Sequence, residues 1–333
     1  TDPTKVRNKY VHYIEKPVPK VENVYYNFKE LVDAMNADKN GTFKIGADLN
    51  ATNVPTPKKW YVDGDFRGTL KSVDGKHYTI HNTERPLFRN IIGGTVTKVN
   101  LGNVNINMPW ADRIAPIADT IKGGAKIEDV KVTGNVLGRN WVSGFIDKID
   151  NQGTLRNVAF IGNVTAVGDG GQYLTGIVGE NWKGLVEKAY VDANLVGDKA
   201  KAAGIAYSSQ NGGDNGAVSR DVVGSMKHHG SVEDSISMMK VSNGEIFYGS
   251  SDIDYDGGYW TGNNVKRNYV VVGVSDGNSS YQRSKDKNRI KPISEEEAKS
   301  KIEATGISAD KYEINEPIVN RLNRLTRKED EYK

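Results

Sequence analysis

The run with the clearest metal-binding pattern is Asp252-Ile253-Asp254-Tyr255-Asp256-Gly257. Oxygen ligands at the first, third and fifth places and a glycine at the sixth open a calcium loop, in which carboxylates wrap a hard cation and the glycine takes the sharp bend. The twelfth place is Asn263 instead of a bidentate Glu, and no helix-forming sequence flanks the run. An exposed acidic turn is therefore the stronger reading, and Asp252, Asp254 and Asp256 are the metal candidates the sequence offers. Zinc hydrolase chemistry commonly uses two His one helical turn apart with a Glu between them. The five His are His12, His77, His81, His228 and His229; His77 and His81 have the spacing but lie in a strand-like run without that Glu. His228 and His229 are adjacent and would point to opposite sides of a strand. Gly273-Val274-Ser275-Asp276-Gly277 has the Gly-x-Ser-x-Gly spacing, but the polar run that follows it from Asn278 has no apolar helical period, so the strand-turn-helix setting of a serine hydrolase elbow is lacking.

Paired carboxylates on one face of a β-helix are a mark of polysaccharide cleavage. Asp63, Asp65, Asp112, Asp129 and Asp192 are the candidates here, but they do not recur at one repeat position as an acidic stripe. Trp60, Trp110, Trp141, Trp182 and Trp260 are expected mostly as packing anchors, although such rings also stack on sugars. Gly168-Asp169-Gly170-Gly171 lacks the strand and helix of a phosphate cradle and reads as a turn.

These residues sit in a repetitive chain. One phrase recurs as Val96-Thr-Lys-Val99, Ile127-Glu-Asp-Val130, Leu155-Arg-Asn-Val158 and Val186-Glu-Lys-Ala189, each followed by Gly-Asn or Ala-Asn, with the last apolar residues separated by 31, 28 and 31 positions. A second phrase interleaves at Pro116-Ile117, Gly144-Phe145, Gly176-Ile177 and Gly204-Ile205. Short alternating strands on this period predict a mainly β fold: a single-stranded parallel β-helix of about 28–32 residues per turn. The recurring Asn is expected at corners, since Asn tolerates left-handed backbone. Echoes stand at Phe66 to Leu70, at Tyr78 to Ile80 and at Val232, which follows Val186 by 46 residues. That turn has gained a segment, expected around Ser208 to Gly216.

Residues 1–24 read as an extended linker, 25–290 as the solenoid and 291–333 as a helical segment leading to a following domain. Asn27 with Glu30 forms a capping box for a short helix carrying Phe28, Leu31, Val32 and Met35, expected to cover the open end of the solenoid. Thr42 to Leu49 reads as a strand. Ser294 with Glu297 opens a second helix through Ile302 that Gly306 closes, expected to dock on the last turn or on the next domain. A third, from Pro317, shares Ile318, Leu322 and Leu325 on one face.

The chain has 333 residues, 45 Lys+Arg against 42 Asp+Glu, 36 Gly and no Cys. A net charge of +3, well mixed, gives no footprint for nucleic acid. The absence of Cys removes disulfides, thiolate metal sites and a thiol nucleophile. Apolar runs such as Tyr269 to Val274 fall short of the ~18 residues of a membrane span. The opening residues carry neither an initiator Met nor an apolar signal core, and the end falls inside a charged run, so a piece of a longer protein is expected.

Phe28-Lys-Glu-Leu-Val-Asp-Ala-Met35, Phe66-Arg-Gly-Thr-Leu70, Pro86-Leu-Phe-Arg89, the Gly-Asn-Val corners, Ile293-Ser-Glu-Glu-Glu-Ala298 and Asn320-Arg-Leu-Asn-Arg-Leu325 resemble the non-catalytic region that precedes the protease domain in streptococcal immunoglobulin A-specific zinc metalloendopeptidases and their surface-attached relatives. The resemblance runs from about Val24 to Lys333. It implies an extracellular parent, secreted or held at a Gram-positive cell wall, with zinc in a separate catalytic domain and no cofactor or catalytic residue in this chain. The partners it implies are the immunoglobulin A heavy chain and the catalytic domain of the same polypeptide. An autonomous adhesin-like or carbohydrate-active β-helix is the alternative, marked by exposed aromatics and carboxylates on one face.

Overall fold

A computed structural model describes residues 21–198, 200–208, 230–242, 245–247, 265–271 and 290–305. The metal candidates Asp252, Asp254 and Asp256, together with His12, His228, His229, Trp260, Gly306, most of the linker, the inserted segment after Ser208 and the helix expected from Pro317, lie outside the described residues. The fold is a parallel β-solenoid of about six turns with two α-helices among the described residues. Every strand pairing is parallel, and each strand pairs with its counterpart in the next turn.

Three sheets run along the solenoid. The largest holds the long strands Val99–Asn107, Ala125–Gly138, Gly153–Ala166 and Leu185–Val196. The second stacks Val62–Phe66, Phe88–Ile92, Ala118–Lys122, Ile146–Asp150, Val178–Trp182 and Ala206–Ser208; the third stacks Arg113–Ile114, Trp141–Ser143, Tyr173–Thr175, Lys201–Ala203 and Glu245–Phe247. Identical registers place apolar residue over apolar residue. Phe43, Leu70, Val96, Ile127, Leu155, Val186 and Val232 form one such column, all buried.

The repeated phrase spaces its two core residues three apart instead of two. The extra residue is absorbed by a left-handed backbone position at Lys98, Asp129, Asn157, Lys188, Asp234 and Arg267, with φ between 51° and 55°. This column turns the chain so that Ile127 and Val130, or Leu155 and Val158, both face inward. The recurring asparagines do something else. Asn135, Asn163 and Asn194 lie within the long strands, stacked in register and bonded amide to amide, with Asn163 Nδ2 donating to Asn135 Oδ1 at 2.6 Å and Asn194 Nδ2 to Asn163 Oδ1 at 2.9 Å. An exposed ladder satisfies these side chains without any turn. The residue paired with Asn135 is Asn105; Asn103, its counterpart by sequence, falls in a bulge with φ 48°.

The second phrase marks a corner where turns approach closely. A Cβ on Gly176 would stand 2.5 Å from Val191 Cγ1 and 2.6 Å from the Gly204 carbonyl oxygen. Val186 pairs with Val232 as the spacing requires, and the register brackets the inserted segment between Ser208 and Ser231.

Helix α1, Phe28–Ala37, begins at Asn27, whose Oδ1 accepts from the Glu30 N–H at 3.2 Å. Its buried Phe28, Leu31, Val32 and Met35 enter the main core, and Phe28 meets Tyr61 edge to face at 5.1 Å. It lies at the first turn, where the edge strands Val24–Tyr25 and Val62–Phe66 would otherwise be bare. Helix α2, Glu295–Glu303, is capped by Ser294 Oγ. It packs on the outer face of the largest sheet, reaching back over Ala159, Tyr190, Ile236 and Met238. Small or apolar outward residues in those turns make that flank the available apolar surface, which explains why α2 docks beside several turns and not only on the last. Among the described residues no helix is long and apolar enough to cross a membrane.

The left-handed column yields a test. At Lys188, φ 51°, glycine removes a steric cost and valine aggravates it. Lys188→Gly is expected to change the unfolding free energy by no more than about 1 kcal/mol, in the stabilising direction, and Lys188→Val to lower it by about 1–2 kcal/mol, as read by urea denaturation.

Candidate functional site

Among the described residues, a dense set of charged and aromatic side chains outside the core lies where the second and third sheets meet at a corner. In the second sheet the buried residues again stand three apart: Phe88 and Ile91, Ala118 and Ile121, Ile146 and Ile149 belong to the core. The two residues between them are carried outside it. This step places Arg89, Asp119, Asp147 and Gly179 at equivalent positions of successive turns, with Asn90, Thr120, Lys148 and Glu180 beside them. The third sheet presents Arg113, Trp141 and Tyr173 in one column.

Arg113 joins the two sheets. Its Nε donates to Asp147 Oδ2 at 2.7 Å and its Nη2 to Glu180 Oε2 at 3.0 Å, while the guanidinium lies 4.3 Å from the Trp141 ring centre. Trp141 stacks on Tyr173 at 4.1 Å, and Tyr207 closes against both rings. Trp141 is 8% exposed, Tyr207 1% and Asp147 4%, so these groups form a filled wedge. At its edge Trp60 Nε1 donates to Asp119 Oδ2 at 2.9 Å, and Lys59 and Arg89 each stand 4.6 Å from the Trp60 ring centre. Burial and the neighbouring Asp147 push the Asp119 carboxyl up to about 7, against Trp60, Lys59 and Arg89, which favour its charge. Burial likewise raises Asp147 to about 6, with Arg113 opposing.

The carboxylates singled out by sequence do not converge. Asp63 pairs with Arg89 at 3.3 Å, and Asp65 accepts from Asn90 at 3.1 Å. Asp112 binds the Asn140 amide, and Asp129 accepts from Asn157 at the left-handed corner. Asp192 pairs with Ile161 on the largest sheet. His77 Nε2 meets Asn100 Oδ1 at 2.9 Å, and His81 ends the strand Tyr78–His81. Among the described residues no three His, Asp or Glu side chains are grouped to hold a metal ion. Trp60, Trp141 and Trp182 are packed, Trp182 under Lys148 at 4.8 Å, whereas Trp110 is 60% exposed beside Arg85. Gly168 to Gly171 forms a bend between strands.

Sequence reasoning missed Asp119, Asp147, Glu180 and Arg113. A signal was present: Asp119 and Asp147 each stand two residues after the apolar member of the second phrase, Ile117 and Phe145.

Residues 1–134 match the family model described as the M26 IgA1-specific metallo-endopeptidase N-terminal region. The chain is 36% identical to zinc metalloprotease ZmpB of Streptococcus pneumoniae serotype 4 over 97% of its own length. It is 28% identical to an immunoglobulin A1 protease of Streptococcus pneumoniae over 99% of its length. It spans 18% of the length of each of these curated relatives. Two solved structures share its fold. One, described as an IgA1 protease, has a TM-score of 0.55 at 23% identity, covering 84% of this chain and 25% of that one. The other, described as a putative immunoglobulin A1 protease from Bacteroides ovatus, has a TM-score of 0.57 at 13% identity, covering 84% and 86%.

The wedge predicts how Arg113 behaves. Arg113→Ala leaves two buried carboxylates without their cation and is expected to cost about 3–5 kcal/mol at neutral pH. The loss shrinks toward about pH 5, where Asp147 takes up a proton; paired denaturation curves at the two pH values check this.

Proposed function

From the homology of this chain to the N-terminal region of the M26 IgA1-specific metallo-endopeptidases, we propose that it is the non-catalytic scaffold and substrate-positioning region of a secreted or cell-wall-attached zinc metalloprotease. The observation that carries this reading is the alignment of 97% of the chain with a zinc metalloprotease of which it spans 18%, over a stretch that folds as one continuous parallel stack. Zinc and peptide hydrolysis belong to a separate catalytic domain of the same polypeptide; this sequence contains no His-Glu-x-x-His. In the proposed order, a linker over 1–24 leads into the solenoid over 25–290, and 291–333 leads on to the following domain.

The partners proposed are the immunoglobulin A heavy chain and the catalytic domain. A stacked solenoid suits such a role because its surface is rigid before binding, so little ordering entropy is lost on contact. The alternative of an autonomous carbohydrate-active β-helix requires aromatic faces open beside carboxylates. The rings of the wedge are instead covered by one another and by Arg113, which favours the scaffold.

The test is titration of the 333-residue chain against immobilised immunoglobulin A, with proteolysis assayed in the same samples. Saturable binding without cleavage is expected. Cleavage by this chain alone overturns the reading, and absence of binding removes the substrate-positioning half of it.

A further inference from the structure

Asp119 and Asp147 occupy equivalent places in adjacent turns, since their neighbours Ala118 and Thr120 pair with Ile146 and Lys148. Each uses one oxygen. Asp119 Oδ2 accepts from Trp60 and Asp147 Oδ2 from Arg113. Asp119 Oδ1 and Asp147 Oδ1 are shut off from solvent and find no partner among the described residues. Two stacked carboxylates with orphaned oxygens in a dry place are costly if both are charged.

The charged groups around the pair are already engaged. Lys59 and Arg89 lie against the Trp60 ring, and Arg89 also pairs with Asp63. Arg113 is forked between Asp147 and Glu180, and Lys148 lies over Trp182. Glu180 adds to the negative charge near Asp147. No third His, Asp or Glu among the described residues completes a metal site here, and the surrounding cations oppose a divalent ion. A proton is the remaining counter-charge that fits.

We propose that Asp119 and Asp147 carry one proton between them at neutral pH, and that its loss releases the Trp60 indole from Asp119. Asp147, buried and gripped by Arg113, stays. Asp119 is the less buried of the two and is the one that can turn to water, giving up the Trp60 indole. Both carboxyls are raised by burial, to about 7 and about 6, so the native chain binds more protons than the unfolded one. Stability from the pair is full below about pH 4 and is lost as pH rises through about 7. Trp60 is therefore held in acid and freed in mild alkali.

The experiment follows the Trp60 indole N–H by nitrogen-15 NMR of the full chain, assigned with Trp60→Phe, between about pH 5 and about pH 8.5, alongside carbon-13 signals of the aspartate carboxyls. The expected result is one Asp carboxyl titrating near neutrality, with Trp60 losing exchange protection over the same range relative to the other tryptophans. Asp119→Asn keeps an acceptor for the indole and removes the pH response. Asp147→Asn moves the Asp119 midpoint down by at least about one pH unit. Ordinary carboxylate titration of both groups, a Trp60 signal indifferent to pH, or an unmoved midpoint in a folded Asp147→Asn chain overturns the proposal. So does a shift of both carboxyl signals on adding millimolar calcium or magnesium, which would make the pair a cation site. The carboxyl titration of the unsubstituted chain decides the matter even where Asp147→Asn fails to fold.

Discussion

The parallel hydrogen-bond register between turns, spaced about 4.8 Å apart, constrains everything else in this molecule. Each residue lies beside its equivalent in the turns before and after, so a side chain is chosen against its own counterpart. Apolar columns become the core. Columns needing left-handed backbone hold Asp, Asn, Lys or Arg at one recurring φ. Amides stack into a ladder. Charges obey the same rule by alternating in sign: Arg156 stands between Glu128 and Glu187, 2.9 Å from each, and Arg267 answers Asp234 one turn away. Asp119 over Asp147 breaks that alternation, which is why the physics of the surface concentrates there.

Much of the architecture was legible in the sequence, because a stacked fold writes its period directly into the chain. The two interleaved phrases, the two side-chain caps at Asn27 and Ser294, and the turn lengthened before Val232 all reappear in the structure. What the sequence obscured is local. A three-residue spacing such as Ile146 to Ile149 departs from the alternation expected of a strand, so the outward carboxylates at the bends could not be placed by period two. The Gly-Asn pairs carried a turn-like composition, yet parallel neighbours gave their amides bonding partners within a strand. The bulge at Gly102 and Asn103 then moved the register on by one residue, so that Asn135 pairs with Asn105 and not with Asn103.

The aromatic and ionic wedge is a consequence of the bent cross-section. Where two sheets meet at a corner that is concave outward, their outer faces must be filled or wetted. Trp141, Tyr173 and Tyr207 fill this one, and Arg113 supplies the polar joint between sheets. A half-buried cation holding two buried carboxylates is weak evidence of net stabilisation. Its value here is geometric, because a planar fork bonded to both Asp147 and Glu180 fixes the relative height of adjacent turns.

Stacking also bears on recognition. A repeat whose columns satisfy their own hydrogen bonds and charges leaves few groups seeking a partner, and the regular faces are accordingly poor places for specificity. Departures from the repeat are the better places: the stretch from Ala51 to Tyr61 with its prolines and Trp60, and Trp110 left open beside Arg85. Six turns at the strand spacing make a rod of roughly 30 Å, stiff enough to hold those departures at fixed separations. A protein that must position a partner gains from this division, since the rod sets distance while the irregular segments can change without disturbing the stack.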